Sequence, residues 1–386
     1  MAIPRAEGEE RVTNLELFFD LVFVFAITQV TGLMAHDPTW TGVAQGMLVL
    51  SALWFAWASY AWLTNTINPE EGGVRLAIFV IMAALAVASL AVPRAFTDDA
   101  VIFGICYLVV RAMHLALYAM AARGDGTLGI VVRNLLPSML AASALILAAG
   151  FVHGTARYVL WCCALAIEVI GPYVRGVEGW RLQPGHFAER HGLIVIVAIG
   201  ESIVAVGVGV ADRELTAGVV AAAVLGVAIA AALWWAYFDV VALVAERLLT
   251  ARQGADRARN ARDSYTFLHL PMIAGIVLLA LGTKKTLEHV DEPLETVPAF
   301  ALCGGLSLYL LGLVAFRLRN VGSLNKQRLV TAIVLAALIL PARELDALPA
   351  LAVLAAACCG LVAYEAVRFR EARDRVRHPQ EVLVSR

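Results

Sequence analysis

The chain is a succession of apolar runs, most of them close to the 20 or so residues that a helix needs to cross a hydrocarbon core about 30 Å thick. The runs fall near 14–35, 41–63, 74–92, 100–122, 130–151, 156–174, 193–211, 216–245, 264–283, 298–316, 327–342 and 347–367. Twelve spans fit within 386 residues and leave only short loops. The eleventh, at about 16 residues, is the weakest by the length criterion. Without it the count falls to eleven and the C-terminus changes side. Composition agrees with this pattern. Hydrophobic residues make up 61% and charged residues 16%, against roughly 45–50% and about 25% in soluble domains. The mean hydropathy is +0.78. Cytosolic enzymes, disordered chains and secreted disulfide scaffolds are excluded, and a net charge of −1 gives no field for nucleic acid. The expected fold class is all-α integral membrane, with the lipid bilayer as solvent.

The start of the chain does not read as a cleavable signal. The run from Leu15 to Met34 is long and contains Glu16 and Asp20, so it is expected to stay as the first span. The six cysteines all fall inside spans, where they act as small apolar fillers. No disulfide, metal or other cofactor is expected.

Lys and Arg set the orientation. With twelve spans, 23 of the 30 lie on the side of the termini and the loops after even-numbered spans. Six lie on the other side (Arg94, Arg157, Arg213, Lys284, Lys285, Arg343), and Arg111 falls within a span. Basic residues accumulate on the cytoplasmic side. Both termini are therefore expected in the cytoplasm, with the protein in the plasma membrane. The longest basic loop, Arg247 to Arg262, reads as a topology signal touching anionic headgroups.

The two halves resemble each other. SALWFAWASY at Ser51–Tyr60 matches AALWWAYFDV at Ala231–Val240, and Cys162-Cys163 matches Cys358-Cys359. FFDLVFVFAI at Phe18–Ile27 aligns with IGESIVAVGV at Ile199–Val208, which sets Asp20 opposite Glu201. These matches divide the chain into a first repeat, 1–180, a second repeat, 181–370, and a basic tail, 371–386. Six helices per repeat is an even number, so the repeats would be parallel, with sites favoured where they meet.

Charge near the bilayer centre is costly unless paired or hydrated, so each internal charged group is a functional candidate. Glu16 and Asp20 are four apart and share a helix face. Paired carboxylates of this kind suit a cation or a proton. They equally suit a structural pairing with Arg11, Arg190 or Arg111. Glu201, with Ser202 beside it, lies roughly 18 Å deeper than Glu189 on a continuous helix. His186, Glu189 and Arg190 crowd the start of the seventh span. Histidine ionises near neutral pH. A proton-linked gate is one reading of this group, and a hydrogen-bonded helix entrance is the other. Arg111 and His114, three apart, are expected to face the bundle interior, and Arg111 needs an acidic partner. Asp239 and His269 are further internal polar groups. Trp54, Trp57, Trp234 and Trp235 recur at matching positions, as packing residues or as a constriction. Phosphate-loop, dinucleotide, GxSxG and HExxH motifs are absent from the sequence.

Two segments carry a family resemblance. RVTNLELFFDLVFVFAITQ (Arg11–Gln29) and HFAERHGLIVIVAIGESI (His186–Ile203) resemble the two signature segments of the bacterial low-temperature-requirement A (LtrA) family. Arg11, Glu16, Phe18, Phe19 and Asp20 match the first. His186, Glu189, Arg190, Gly192, Gly200, Glu201 and Ser202 match the second. The family is named for a growth phenotype, so the resemblance implies a membrane protein and no particular chemistry. The Arg…Phe-Phe-Asp opening and the two six-helix repeats are also remotely similar to the two-repeat lysosomal-type potassium channels. Those have serine where this chain has Phe19.

The expectation is a twelve-helix protein of two parallel repeats that passes an ion or small solute along spans one and seven. Asp20 and Glu201 would be the central polar residues, with Glu16 and Ser202 in support. Arg11, His186, Glu189 and Arg190 would form a cytoplasmic gate. A cation or proton would be the partner, and the chain would either pair as a homodimer or enclose the path alone. The alternatives are a headgroup-modifying membrane enzyme, with His186, Glu189 and Arg190 converging on one point, and a non-transporting envelope-stress factor.

Overall fold

A computed structural model describes residues 11–211 and 214–377. Arg5, Arg213 and the tail beyond Arg377 lie outside the described residues. Regular structure among those residues is helical, with fifteen α-helices in chain order. α1 to α6 are Asn14–His36, Trp40–Thr64, Gly72–Ala91, Ala100–Ala121, Gly126–Ala149 and Thr155–Arg175. α7 is Pro184–Val210 and α8 is Ala217–Phe238, followed by α9 (Val241–Ala251) and α10 (Gly254–Asn260). A π-helical turn over Ala261–Phe267 leads into α11 (His269–Glu288). The chain continues through α12 (Thr296–Val321), α13 (Lys326–Ala337), α14 (Ala347–Arg368) and α15 (Arg370–Arg377). Helix starts follow local chemistry. Thr13, Thr39, Asp125, Thr216 and Asn325 each accept a hydrogen bond from the first-turn backbone, which satisfies donors that the helix itself leaves open.

Among the described residues, eleven helical segments are long and apolar enough to cross a membrane. The protein is a multi-pass, all-α membrane protein. The spans count differs from the expected twelve at α13, which has only 12 residues. The chain between α12 and α14 nonetheless runs back along α12. Arg328, at the start of α13, pairs with Glu365 near the end of α14. Ser307 Oγ, midway along α12, donates to Ala332 O. Ala347 N then donates to Glu292 O, just before α12 begins. The chain thus travels the length of α12 as a short helix plus a turn that includes a 3-10 segment at Pro341–Arg343. The basic stretch from Arg247 to Arg262, expected as a loop, is helical as part of α9 and as α10.

Packing divides the chain into two compact units whose boundary falls inside α7. One takes the described residues to His191 with Arg252–Arg262. The other takes Gly192–Ala251 and the described residues from Asp263. In the first, α1 buries Glu16, Phe19, Asp20, Phe23 and Ile27 and exposes Leu17, Phe18, Leu21 and Phe25. The buried positions recur at helical spacing, and the exposed face is as apolar as lipid requires.

In the second unit, α11 and α12 approach closely through glycine. A Cβ on Gly275 would stand 2.6 Å from Gly305 O, and one on Gly305 would stand 2.6 Å from Gly275 O. Small residues allow such backbone contact between membrane helices. Any side chain there would push backbone against backbone. Gly275→Leu should therefore destabilise the protein by about 3 kcal/mol, read as a lowered Tm in detergent. An unchanged Tm would show that the two helices separate freely.

Candidate functional site

The polar centre of the first unit is built from two helical pairs that face each other. Glu16 and Asp20 are one turn apart on α1, and His186 and Arg190 are one turn apart at the start of α7. Residues four apart stack on one helix face, so two such faces can meet with all four groups in register. Arg190 bridges the carboxylates. Its Nη1 lies 2.8 Å from Glu16 Oε1, and its Nη2 donates to Asp20 Oδ1 at 2.8 Å. His186 Nε2 lies 3.0 Å from Glu16 Oε2, the geometry of a donated bond. All four side chains are at least nine-tenths buried.

Local backbone chemistry places Glu16. Thr13 and Glu16 form a capping box: Glu16 N donates to Thr13 Oγ1 at 3.3 Å, and Thr13 N donates to Glu16 Oε2 at 2.9 Å. The carboxylate that starts the helix is thus the one that meets His186. The motif is visible as Thr-x-x-Glu; it is the signal by which Thr13 could have been found. Trp57 on α2 is a second contributor that sequence reasoning left as packing. Its Nε1 donates to Asp20 Oδ1 at 2.8 Å, and its ring lies 5.7 Å from the Arg190 guanidinium carbon. That is within cation–π range. Trp57 also meets His191 edge-on at 5.1 Å. Its polar role has no local sequence signature, because it depends on which helix α2 faces.

Four buried atoms of the cluster make no hydrogen bond among the described residues: Glu16 Oε1, which keeps only its ion-pair contact with Arg190, Asp20 Oδ2, His186 Nδ1 and Arg190 Nε. Beside Glu16 and Arg190 lies a cavity of about 10 Å³, bounded also by Phe19, Tyr60, Thr64 and Ile78. That is about the size of one water. With a neutral imidazole the four groups carry a formal charge of −1; with imidazolium they carry zero. Trp57→Phe keeps most of the ring and removes the donor to Asp20. It should cost about 1–3 kcal/mol, measurable as a lowered Tm. A loss near zero would mean that Asp20 is satisfied without the indole.

The other expected residues divide. Glu189 is exposed and its Oε2 accepts from Val12 N at 3.2 Å, so it does not converge with His186 and Arg190. Arg11 is exposed. Glu201 and Ser202 are buried in the second unit, where Ser202 Oγ donates to Ile199 O at 2.7 Å.

Arg111 and His114 form a second buried centre, in the first unit. Arg111 Nη2 meets Glu168 Oε1 of α6 at 2.5 Å, and its Nη1 donates to Phe55 O at 2.9 Å and Ser59 Oγ at 2.5 Å. His114 Nε2 lies 2.9 Å from Ser59 O. The acidic partner that Arg111 requires is thus Glu168, and α2 stands between both centres. His269 Nδ1 sits 3.1 Å from Ser264 O, with Nε2 2.8 Å from Tyr237 Oη, which fixes the ring between the π-helical turn and α8. Asp239 accepts a guanidinium fork from Arg373 of α15, at 2.6 and 2.8 Å.

Comparison with known proteins accords with these features. The sequence profile of the family described as bacterial low temperature requirement A protein (LtrA) matches residues 11–363. That range contains both facing pairs and both buried centres. The chain is also 30% identical over 309 residues to an uncharacterized protein of Rhizobium meliloti (strain 1021), covering 77% of this chain and 75% of the relative. No solved structure matches it. A match that runs through nearly every span, with the charged pairs of both signature segments meeting in one buried site, places this chain in the bacterial LtrA family of multi-pass membrane proteins.

Proposed function

We propose that this protein passes an ion or small solute across the plasma membrane, with Glu16, Asp20, His186 and Arg190 as a charge-controlled gate. The observation that carries the proposal is the facing of the two helical pairs inside membrane-spanning helices. Four ionisable groups are costly to bury, even when paired, and membrane proteins keep such groups chiefly where charge moves. Gain or loss of one proton changes the net charge of this cluster by a full unit. That is the kind of local event that biases a two-state element. Glu201 and Ser202, further along α7, are the next polar positions on the proposed path. We also propose that the basic loops and both termini lie on the cytoplasmic side, as the charge bias of the sequence suggests, and that the two repeats are parallel.

The test is flux of K⁺, Na⁺ and protons in proteoliposomes of the full chain, with Asp20→Asn and Glu201→Gln alongside. Flux in the wild type is expected to fall by at least about tenfold in Asp20→Asn, the loss that about 1.4 kcal/mol at the gate produces, while the protein stays folded. Absence of flux for all three ions, with variants that lose only thermal stability, would sink the proposal. It would favour a second reading, in which the cluster fastens α1 to the start of α7. The four close contacts on the Glu16 carboxylate favour that reading.

A further inference from the structure

The second unit contains a cavity of about 530 Å³ at the ends of α8, α12 and α14. Its size is that of a small-molecule site. One wall is apolar, formed by Val240, Val244, Phe316, Leu324 and Phe369. The remainder is charged, with four cations (Arg317, Lys326, Arg328, Arg373) and two carboxylates (Asp239, Glu365). The two carboxylates are already committed. Arg328 grips Glu365 through Nε at 3.0 Å and Nη2 at 2.7 Å, and Arg373 grips Asp239 through Nε and Nη2. Two cations remain. Arg317 donates to the Ser323 hydroxyl at 3.2 Å, and Lys326 is exposed, with no acidic partner among the described residues. Lys326 also opens α13, whose N-terminus adds partial positive charge on the same wall.

Two exposed cations without a carboxylate in ion-pair contact among the described residues, beside a ligand-sized apolar wall, are complementary to an anionic amphiphile. We propose that this cavity binds an anionic phospholipid, with Arg317 and Lys326 on the phosphate-bearing headgroup and an acyl chain against Val244, Phe316 and Phe369. A soluble phosphate ester would use the cations and leave the apolar wall unused. The lipid is favoured because the cavity opens at the ends of membrane spans. It is also favoured by α15, which closes one side with Ala372, Arg373 and Val376 while Arg370 and Arg375 are exposed. A short basic helix of that kind suits an anionic membrane surface. The proposal is independent of the gate.

The test titrates the detergent-solubilised full chain with phosphatidylglycerol, phosphatidylcholine and sn-glycerol 3-phosphate, scoring bound species by native mass spectrometry. Phosphatidylglycerol is expected to bind roughly tenfold more tightly than phosphatidylcholine. The double variant Arg317→Gln, Lys326→Gln should lose that preference. Both positions are exposed, so the fold is not at stake. Val244→Trp, which fills the apolar wall, should weaken both lipids, and sn-glycerol 3-phosphate should not displace phosphatidylglycerol. Equal binding of the two lipids by the wild type, or a double variant that keeps the preference, would overturn the proposal. Tight binding of sn-glycerol 3-phosphate that survives in Val244→Trp would overturn the lipid and assign a soluble phosphate ester.

Discussion

Arg190→Ala should destabilise the protein by about 3–5 kcal/mol, the cost of leaving buried charge without its partner. The effect is large because one guanidinium serves two carboxylates. Its Nη1 meets Glu16 and its Nη2 meets Asp20. Without it, two negative groups one helical turn apart stand together inside a span, with Thr13, His186 and Trp57 as their remaining close partners. Arg190→Lys should recover only part of the loss, since a single ammonium cannot reproduce the planar fork. Adding Asp20→Asn to Arg190→Ala should restore stability, because it removes one of the orphaned charges. Thermal unfolding of the four proteins in one detergent measures this directly. If Arg190→Ala unfolds at the wild-type temperature, the bridging account is wrong. If Asp20→Asn worsens Arg190→Ala, the Trp57 bond outweighs the charge.

The second large effect belongs to Arg111. Arg111→Met should cost about 3–5 kcal/mol by stranding Glu168, and it also strips donors from Phe55 O and Ser59 Oγ. Combining it with Glu168→Leu replaces the ion pair by apolar groups of similar volume. Such replacements of buried pairs are often neutral, so the double variant should regain most of the loss. The coupling between the two substitutions, obtained from a double-mutant cycle, should then be large and of opposite sign to the single effects. A double variant as unstable as Arg111→Met alone would mean that the bonds to α2, not the pair with Glu168, hold α4 in place. This centre meets α2 through Phe55 O and Ser59 Oγ and includes none of the proposed gate residues, so flux per folded molecule should be unchanged in the double variant. That separates its role from the one proposed for Asp20.

Much of this architecture is legible without coordinates. Glu16 with Asp20, and His186 with Arg190, are recognisable as pairs because helical spacing alone stacks residues four apart. Thr13 belongs to the same class of signal, since its capping box is written in four consecutive residues. The glycines at 275 and 305 are visible as residues, but their meaning is not. Gly275 matters because its backbone lies against Gly305, and nothing within either helix says so. Trp57 is similar: an indole on a membrane helix packs by default, and it becomes a donor to Asp20 only through the rotation of α2. The basic stretch after α8 carries charges that suit a loop, yet it folds as α9 and α10.

The sequence by itself determined the membrane class, the helical spans and the helix faces. Each of these depends on chemistry within about 20 residues: a segment in lipid must satisfy its own backbone, and hydropathy records whether it can. Only the tertiary structure decided the partners. Arg111 finds Glu168 across 57 positions, and Arg190 finds Glu16 and Asp20 across 174 and 170. Those choices depend on how far each helix is rotated and at what depth it sits. They also explain α13, which is too short to count as a span by length. The chain there still runs back along α12, because Arg328 is held at the end of α14 and Ala347 is held beside the start of α12.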